Sequence, residues 1–297
     1  MPTTALSSES AASFAPAAVG LTLFVSLAEL RMDDAWSRGV LFAVALLAAL
    51  PVLALGIAAD RGANAPRGAA TVLLVSGLGL AGITLARFGQ ILAGDDWSSH
   101  GGTLTLVLAL FAVVAAWCYR RTGSAACLLL ASLATVGLLV EAVNWIFDTD
   151  NTDVFRALLT FAFVVLYLAG LAVPDRPGTI LVGAAGVTAL ATAFTFSAFF
   201  LILATGGGAG WGWELVILVE GLLLVGYAAV EFEPGPGYLA LFTLVLFVLS
   251  AAALGLELDD GGDSAGSSPS LVGWPLAIGI GTALAAGWAV LGARRAE

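Results

Sequence analysis

Ten apolar stretches of about 20 residues, the length a helix needs to cross the hydrocarbon of a bilayer, follow one another along this chain. They cover 13–30, 39–59, 69–91, 103–119, 125–147, 154–173, 178–204, 211–230, 237–256 and 271–292. Charged breaks at Ala59-Asp60-Arg61, Tyr119-Arg120-Arg121, Pro174-Asp175-Arg176, Glu231-Phe232-Glu233 and Ala293-Arg294-Arg295 divide the pattern. Between them, each pair of stretches turns in an acidic or Gly-rich loop on the opposite side. The pattern predicts an all-α, polytopic membrane protein of about ten transmembrane helices arranged as five antiparallel hairpins. One integral membrane domain is expected over 13–295. Residues 1–12 carry no positive charge and so lack the basic region of a secretory signal peptide. They read as a disordered cytoplasmic tail.

Composition agrees with the pattern. Hydrophobic residues make up 60% of the chain and charged residues only 11%, against roughly a quarter charged in soluble domains. Little chain is left over for a soluble domain.

Charge then orients the bundle. Every basic residue other than His100 is arginine. Seven of the 11 lie on one set of loops: Arg61, Arg67, Arg120, Arg121, Arg176, Arg294 and Arg295. Arg31, Arg38 and Arg156 lie on the other side, and Arg87 falls inside a span. The positive-inside rule makes the first set cytoplasmic and, with an even number of spans, both termini too. The expected location is the plasma membrane, multi-pass. The opposite loops are acidic, and the formal net charge is −10. An acidic exterior without lysine suits a halophile or a GC-rich genome. It also repels nucleic acid, so no nucleic-acid partner is expected.

Function is to be sought among the few polar groups at membrane depth, because a charge at the bilayer centre costs roughly 2.5–3.5 kcal/mol on insertion scales. In the fifth span Glu141, Asn144, Trp145 and Asp148 stand at i, i+3, i+4 and i+7, on one face that can form the lip of an outward-facing cavity. Alternatively Glu141 reaches interfacial water, with Trp145 as an anchor. Arg87, with Gln90 one turn further out, is always protonated and requires an acidic partner. Glu141 is the first choice for that partner and Glu29 the second. Glu220 is the deepest carboxyl, with Tyr227 on the same face; it is either a proton-relay element or a packed carboxylic acid. Glu29 and Glu214 read as interfacial. Thr188, Thr192 and Thr195 form a stripe that helix packing accounts for.

Several chemistries lack their residues. The sole histidine, His100, lies in an outer loop, so neither a haem nor a buried histidine metal site is expected. The 206–210 Gly-rich stretch lacks the Lys-Ser/Thr of a phosphate loop. Cys118 and Cys127 read as buried filler. No catalytic residue, cofactor or metal is assigned, and no enzyme activity is expected. The lipid bilayer is the one assured partner. A small solute, an ion or a proton is the expected cargo. A homodimer through the small residues Gly279, Ala283 and Gly287 is a second partnership open to the chain. The best functional expectation is a small-solute or ion transporter or channel with Arg87, Glu141, Asn144, Glu220 and Tyr227 along its pathway. The alternative is a non-transporting scaffold, assembly or sensory component whose buried charges hold helices together.

Overall fold

The computed structural model describes residues 8–32, 35–60, 67–148, 151–195, 211–231 and 233–257. Those residues are helical nearly throughout. The nine α-helices among them are α1 (Ser8–Met32), α2 (Arg38–Asp60), α3 (Arg67–Ala93), α4 (Gly101–Thr122), α5 (Ala125–Phe147), α6 (Thr152–Ala172), α7 (Asp175–Phe194), α8 (Trp211–Glu231) and α9 (Pro234–Glu257). A short 3-10 turn, Trp97–Ser99, precedes α4. Each helix coincides with one of the first nine apolar stretches. The first seven are long and apolar enough to cross a membrane. The tenth stretch, the long acidic loop before it and the Gly279, Ala283 and Gly287 stripe lie outside the described residues. α1 begins at Ser8, inside the segment expected to be a tail, because its polar first turns continue the helix beyond the apolar part.

Two compact units divide the chain, residues 1–150 and 151–297. In the first, the most extensive packing is α2 on α3, then α4 on α5, while α1 lies against α3 more than against α2. In the second it is α6 on α7 and α8 on α9. The tightest pairs therefore join across the charged breaks and not across the outer loops that define the expected hairpins. Close-approach sites explain the preference. A Cβ on Gly56 would stand 3.0 Å from Leu74 Cδ2, and one on Gly77 would stand 2.8 Å from Leu53 Cδ2. The two leucines thus seat reciprocally in notches of the facing helix, which is how small residues drive helix association without a hydrophobic effect. Between α6 and α7 the backbones themselves meet: a Cβ on Gly178 would fall 2.5 Å from the Gly170 carbonyl oxygen.

The α4–α5 turn is closed by Gly123, left-handed at φ 67°, whose N–H donates to Tyr119 O at 2.7 Å. Glycine is the residue suited to that conformation at a helix C-terminus. Just inside the turn, Cys118 and Cys127 are free, fully buried thiols in contact with one another. They belong to a core cluster with Leu74, Leu78, Ala115 and Ala131. α6 starts at Asn151, whose side-chain oxygen accepts from Asp153 N at 2.9 Å, an N-cap.

Candidate functional site

In the first unit, Arg87 does not meet Glu141. Its Nε donates to Glu29 Oε2, one terminal nitrogen to the Glu29 carbonyl at 3.2 Å and the other to Gln90 Oε1. The two side chains are 11% and 6% exposed. This corrects both the expected partner and the interfacial placement of Glu29. The reason lies in packing order. α1 packs on α3 in parallel, and Glu29 precedes the end of α1 by one turn while Arg87 precedes the end of α3 by two. The long arginine stem closes that difference. The pair links α1 to α3, with Arg87 nitrogens donating to Glu29 and Gln90.

Glu141 instead lines an open cavity of about 710 Å3 with Asn144, Trp145 and Asp148, so the four residues read as one face do share one lip. Its other wall is Ser99, His100, Gly101, Gly102 and Thr103. Trp145 packs flat on that wall because Gly101 and Gly102 have no Cβ; one on Gly101 would stand 2.8 Å from Trp145 Cβ. Asp148 closes α5 in the left-handed region at φ 47°, a conformation aspartate tolerates better than most residues. On the surface nearby, Arg38 bridges to Asp95 at 2.7 Å, with both side chains well exposed.

The second unit holds its carboxyl differently. Glu220 on α8 is 2% exposed, and Tyr227, two turns on, is buried on the same face as expected. α8 meets α6 with parallel chains in a common register. Thr160 stands beside Glu220, and seven residues further along each helix Tyr167 lies edge-on to Tyr227, ring centroids 6.4 Å apart. Between those levels Tyr167 Oη donates to the Leu223 carbonyl at 3.0 Å. Beyond them, Tyr227 Oη and Thr179 Oγ1 are 3.3 Å apart, which carries the series of hydroxyls into the first turns of α7. Two apolar clusters include the α8 residues before and after Glu220: one holds Ala193, Ile217, Leu218 and Leu244, the other Phe163, Val182, Ala185, Ala189 and Leu224. Neither oxygen of Glu220, nor Thr160 Oγ1, completes a hydrogen bond with a described residue. A buried polar group in that condition is rare and costs roughly 1–3 kcal/mol.

Sequence reasoning left out Arg156, counting it with the loop arginines. It is a buried member of α6, 8% exposed, one turn from Thr160 on the same face. Nε donates to Thr195 Oγ1 at 3.2 Å, one terminal nitrogen to Thr195 O at 3.3 Å and the other to Asp153 Oδ1 at 3.1 Å. The signal was available: Arg156, Thr160, Phe163 and Tyr167 recur at helical spacing on the face α6 turns inward.

Each hydroxyl of the threonine stripe donates within its own helix, and Thr195 also accepts from another helix, through Arg156. Thr188 donates to Ala185 O, Thr192 to Thr188 O and Thr195 to Thr192 O. Among the described residues no group of three or more His, Cys, Asp and Glu could hold a metal ion. The side chain of Glu214 lies outside the described residues. Compared with protein-family models, curated proteins and solved structures, the chain finds no match in any of the three.

Proposed function

We propose that the chain is a plasma-membrane transporter of a small solute or ion, with Glu220 as its proton-binding group. In full it would cross the membrane ten times as five hairpins, termini in the cytoplasm. The observation that carries this reading is the Glu220–Thr160 pair: a carboxyl and a hydroxyl side by side in an apolar bundle, neither reaching full hydrogen-bond geometry with a described residue. An unpaired carboxylate there would be very costly, so the group is carried neutral and protonated. Structure alone gives no reason to keep it, since an apolar residue would fill the same space at lower cost. Proton exchange supplies the reason, as in the carboxyl relays of pumps and transporters. The outer cavity around Glu141, Asn144 and Trp145 fits the role of a vestibule for solute. Purified protein in liposomes containing a pH-sensitive dye should acidify or alkalinise its lumen in response to an imposed gradient, and Glu220→Gln should abolish that response. Proton flux identical in wild type and Glu220→Gln would end the proposal.

A second reading, a non-transporting scaffold or assembly component, draws on the Arg87–Glu29 joint. A pair so engaged suits a fixed fastening between α1 and α3.

A further inference from the structure

We propose that Glu220 exchanges its proton with one face of the membrane only, the face bearing the Pro174–Arg176 turn. On that side the exchange runs through Tyr167, Tyr227 and Thr179. On the opposite side Arg156 bars it. The proposal deepens the proton-binding role given to Glu220 above, and it can stand or fall apart from transport.

Polar groups lie along α6 and α8 asymmetrically about Glu220. Towards the Pro174–Arg176 turn, the first group is the Leu223 carbonyl that accepts from Tyr167, about 4.5 Å away along the helix axis at 1.5 Å per residue. Tyr227 follows at about 10 Å by the same rise, and its hydroxyl meets Thr179, a half-buried residue in the first turns of α7. Tyr167, Tyr227 and Thr179 carry neutral hydroxyls able both to donate and to accept, whereas the Leu223 carbonyl only accepts. One helical turn separates the level of Glu220 from the Leu223 carbonyl and another separates that carbonyl from Tyr227; the proposed route crosses each through a bridging water.

Towards the other end, the next polar side chain on the α6 face is Arg156, permanently cationic and held in place by Thr195 and Asp153. A buried fixed cation repels a hydrated proton, the device by which an arginine excludes protons and cations from selective pores. Among the described side chains the remaining neighbours on α7 and α9 add no competing charge. From α7 the buried polar groups are Thr188 and Thr192, both engaged with their own backbone, and from α9 it is Thr243, bonded to Leu239 O. Among the described side chains, the titratable groups on this face are Tyr167, Tyr227 and Glu220, and the charged ones Arg156 and its partner Asp153.

A hydrophobic carbodiimide tests the assignment. It reacts with protonated carboxyls inside membranes: the carboxyl O–H adds across a C=N bond, the new bond forming from oxygen to carbon while the proton goes to nitrogen, and the adduct rearranges to a stable acylurea read by mass spectrometry at Glu220. Sealed vesicles of known orientation are labelled while pH is varied on one face and held on the other. Labelling should follow only the pH of the Pro174–Arg176 face, rising about tenfold per unit fall on the alkaline side of the titration, the slope of a single group. Tyr227→Phe and Thr179→Val should slow its response to a pH jump on that face, and Arg156→Gln should make it respond to both faces. Wild-type labelling that follows the opposite face, follows both, or is absent at every pH overturns the proposal. So does an unchanged response time in folded Tyr227→Phe and Thr179→Val. One-sided labelling with no dye response in the liposome assay would remove the transporter and leave the access route standing.

Discussion

Each unit of this protein buries a glutamate on an inward helix face, and the two are handled in opposite ways. Glu29 is matched to a guanidinium that also grips its backbone carbonyl and Gln90. Glu220 has the Thr160 hydroxyl beside it, while Arg156, one turn from Thr160 on α6, bonds to Thr195 and Asp153. A charge that is matched becomes a fastening, because its energy lies in staying where it is. A carboxyl that is unmatched must be neutral to remain buried, and a neutral acid has a proton to exchange. Burial alone therefore does not distinguish the two acids; the state of their partners does.

The largest expected effect on that comparison comes from breaking the matched pair. Arg87→Ala should destabilise the first unit by about 3–5 kcal/mol, since it strands a buried carboxylate. The double change Arg87→Ala/Glu29→Ala should recover much of the loss, and additive losses in denaturant titrations would show the two residues to be uncoupled. In the second unit the largest response should come from the frame and not from the acid. Gly178→Ala forces a methyl against backbone carbonyls of α6, an overpacking expected to cost about 1–3 kcal/mol or more and measurable as a fall in melting temperature. Glu220→Gln and Glu220→Leu should shift stability by less than about 1 kcal/mol, with Leu neutral or stabilising, because no countercharge is abandoned. A loss from Glu220→Leu as large as that from Arg87→Ala would mean the two acids are not different in kind. Smallest of all, Asp95→Asn should cost at most about 0.5–1 kcal/mol, and less in high salt, because the Arg38–Asp95 bridge is solvent-exposed.

Much of this was legible along the chain, for reasons that also mark the limit. Hydropathy alone placed the nine described helices, since a bilayer demands apolar runs of one length. Helix ends moved by a few residues, as at Ser8 and Ala93, because polar flanking turns stay helical beyond the apolar part. Faces were legible too: Glu220 with Tyr227, and Glu141 with Asn144, Trp145 and Asp148, follow from helical spacing within one element. Partners between elements were not. That Arg87 meets Glu29 depends on α1 passing over α2 to pack against α3, and helix order in a bundle leaves no local pattern. Arg156 was misplaced for a different reason: three residues from Asp153, it looks like the charged edge of a loop, and only its spacing to Thr160 and Phe163 reveals the inward face.

The paired thiols at the α4–α5 turn have one more use. They are the only cysteines in the chain, both lie in the first unit, and neither is exposed. A maleimide can reach them only when that turn opens, so their alkylation rate is a built-in clock for local unfolding of one unit, with the other silent. It asks for no engineered label. Arg87→Ala should quicken that clock, and Gly178→Ala should leave it unchanged.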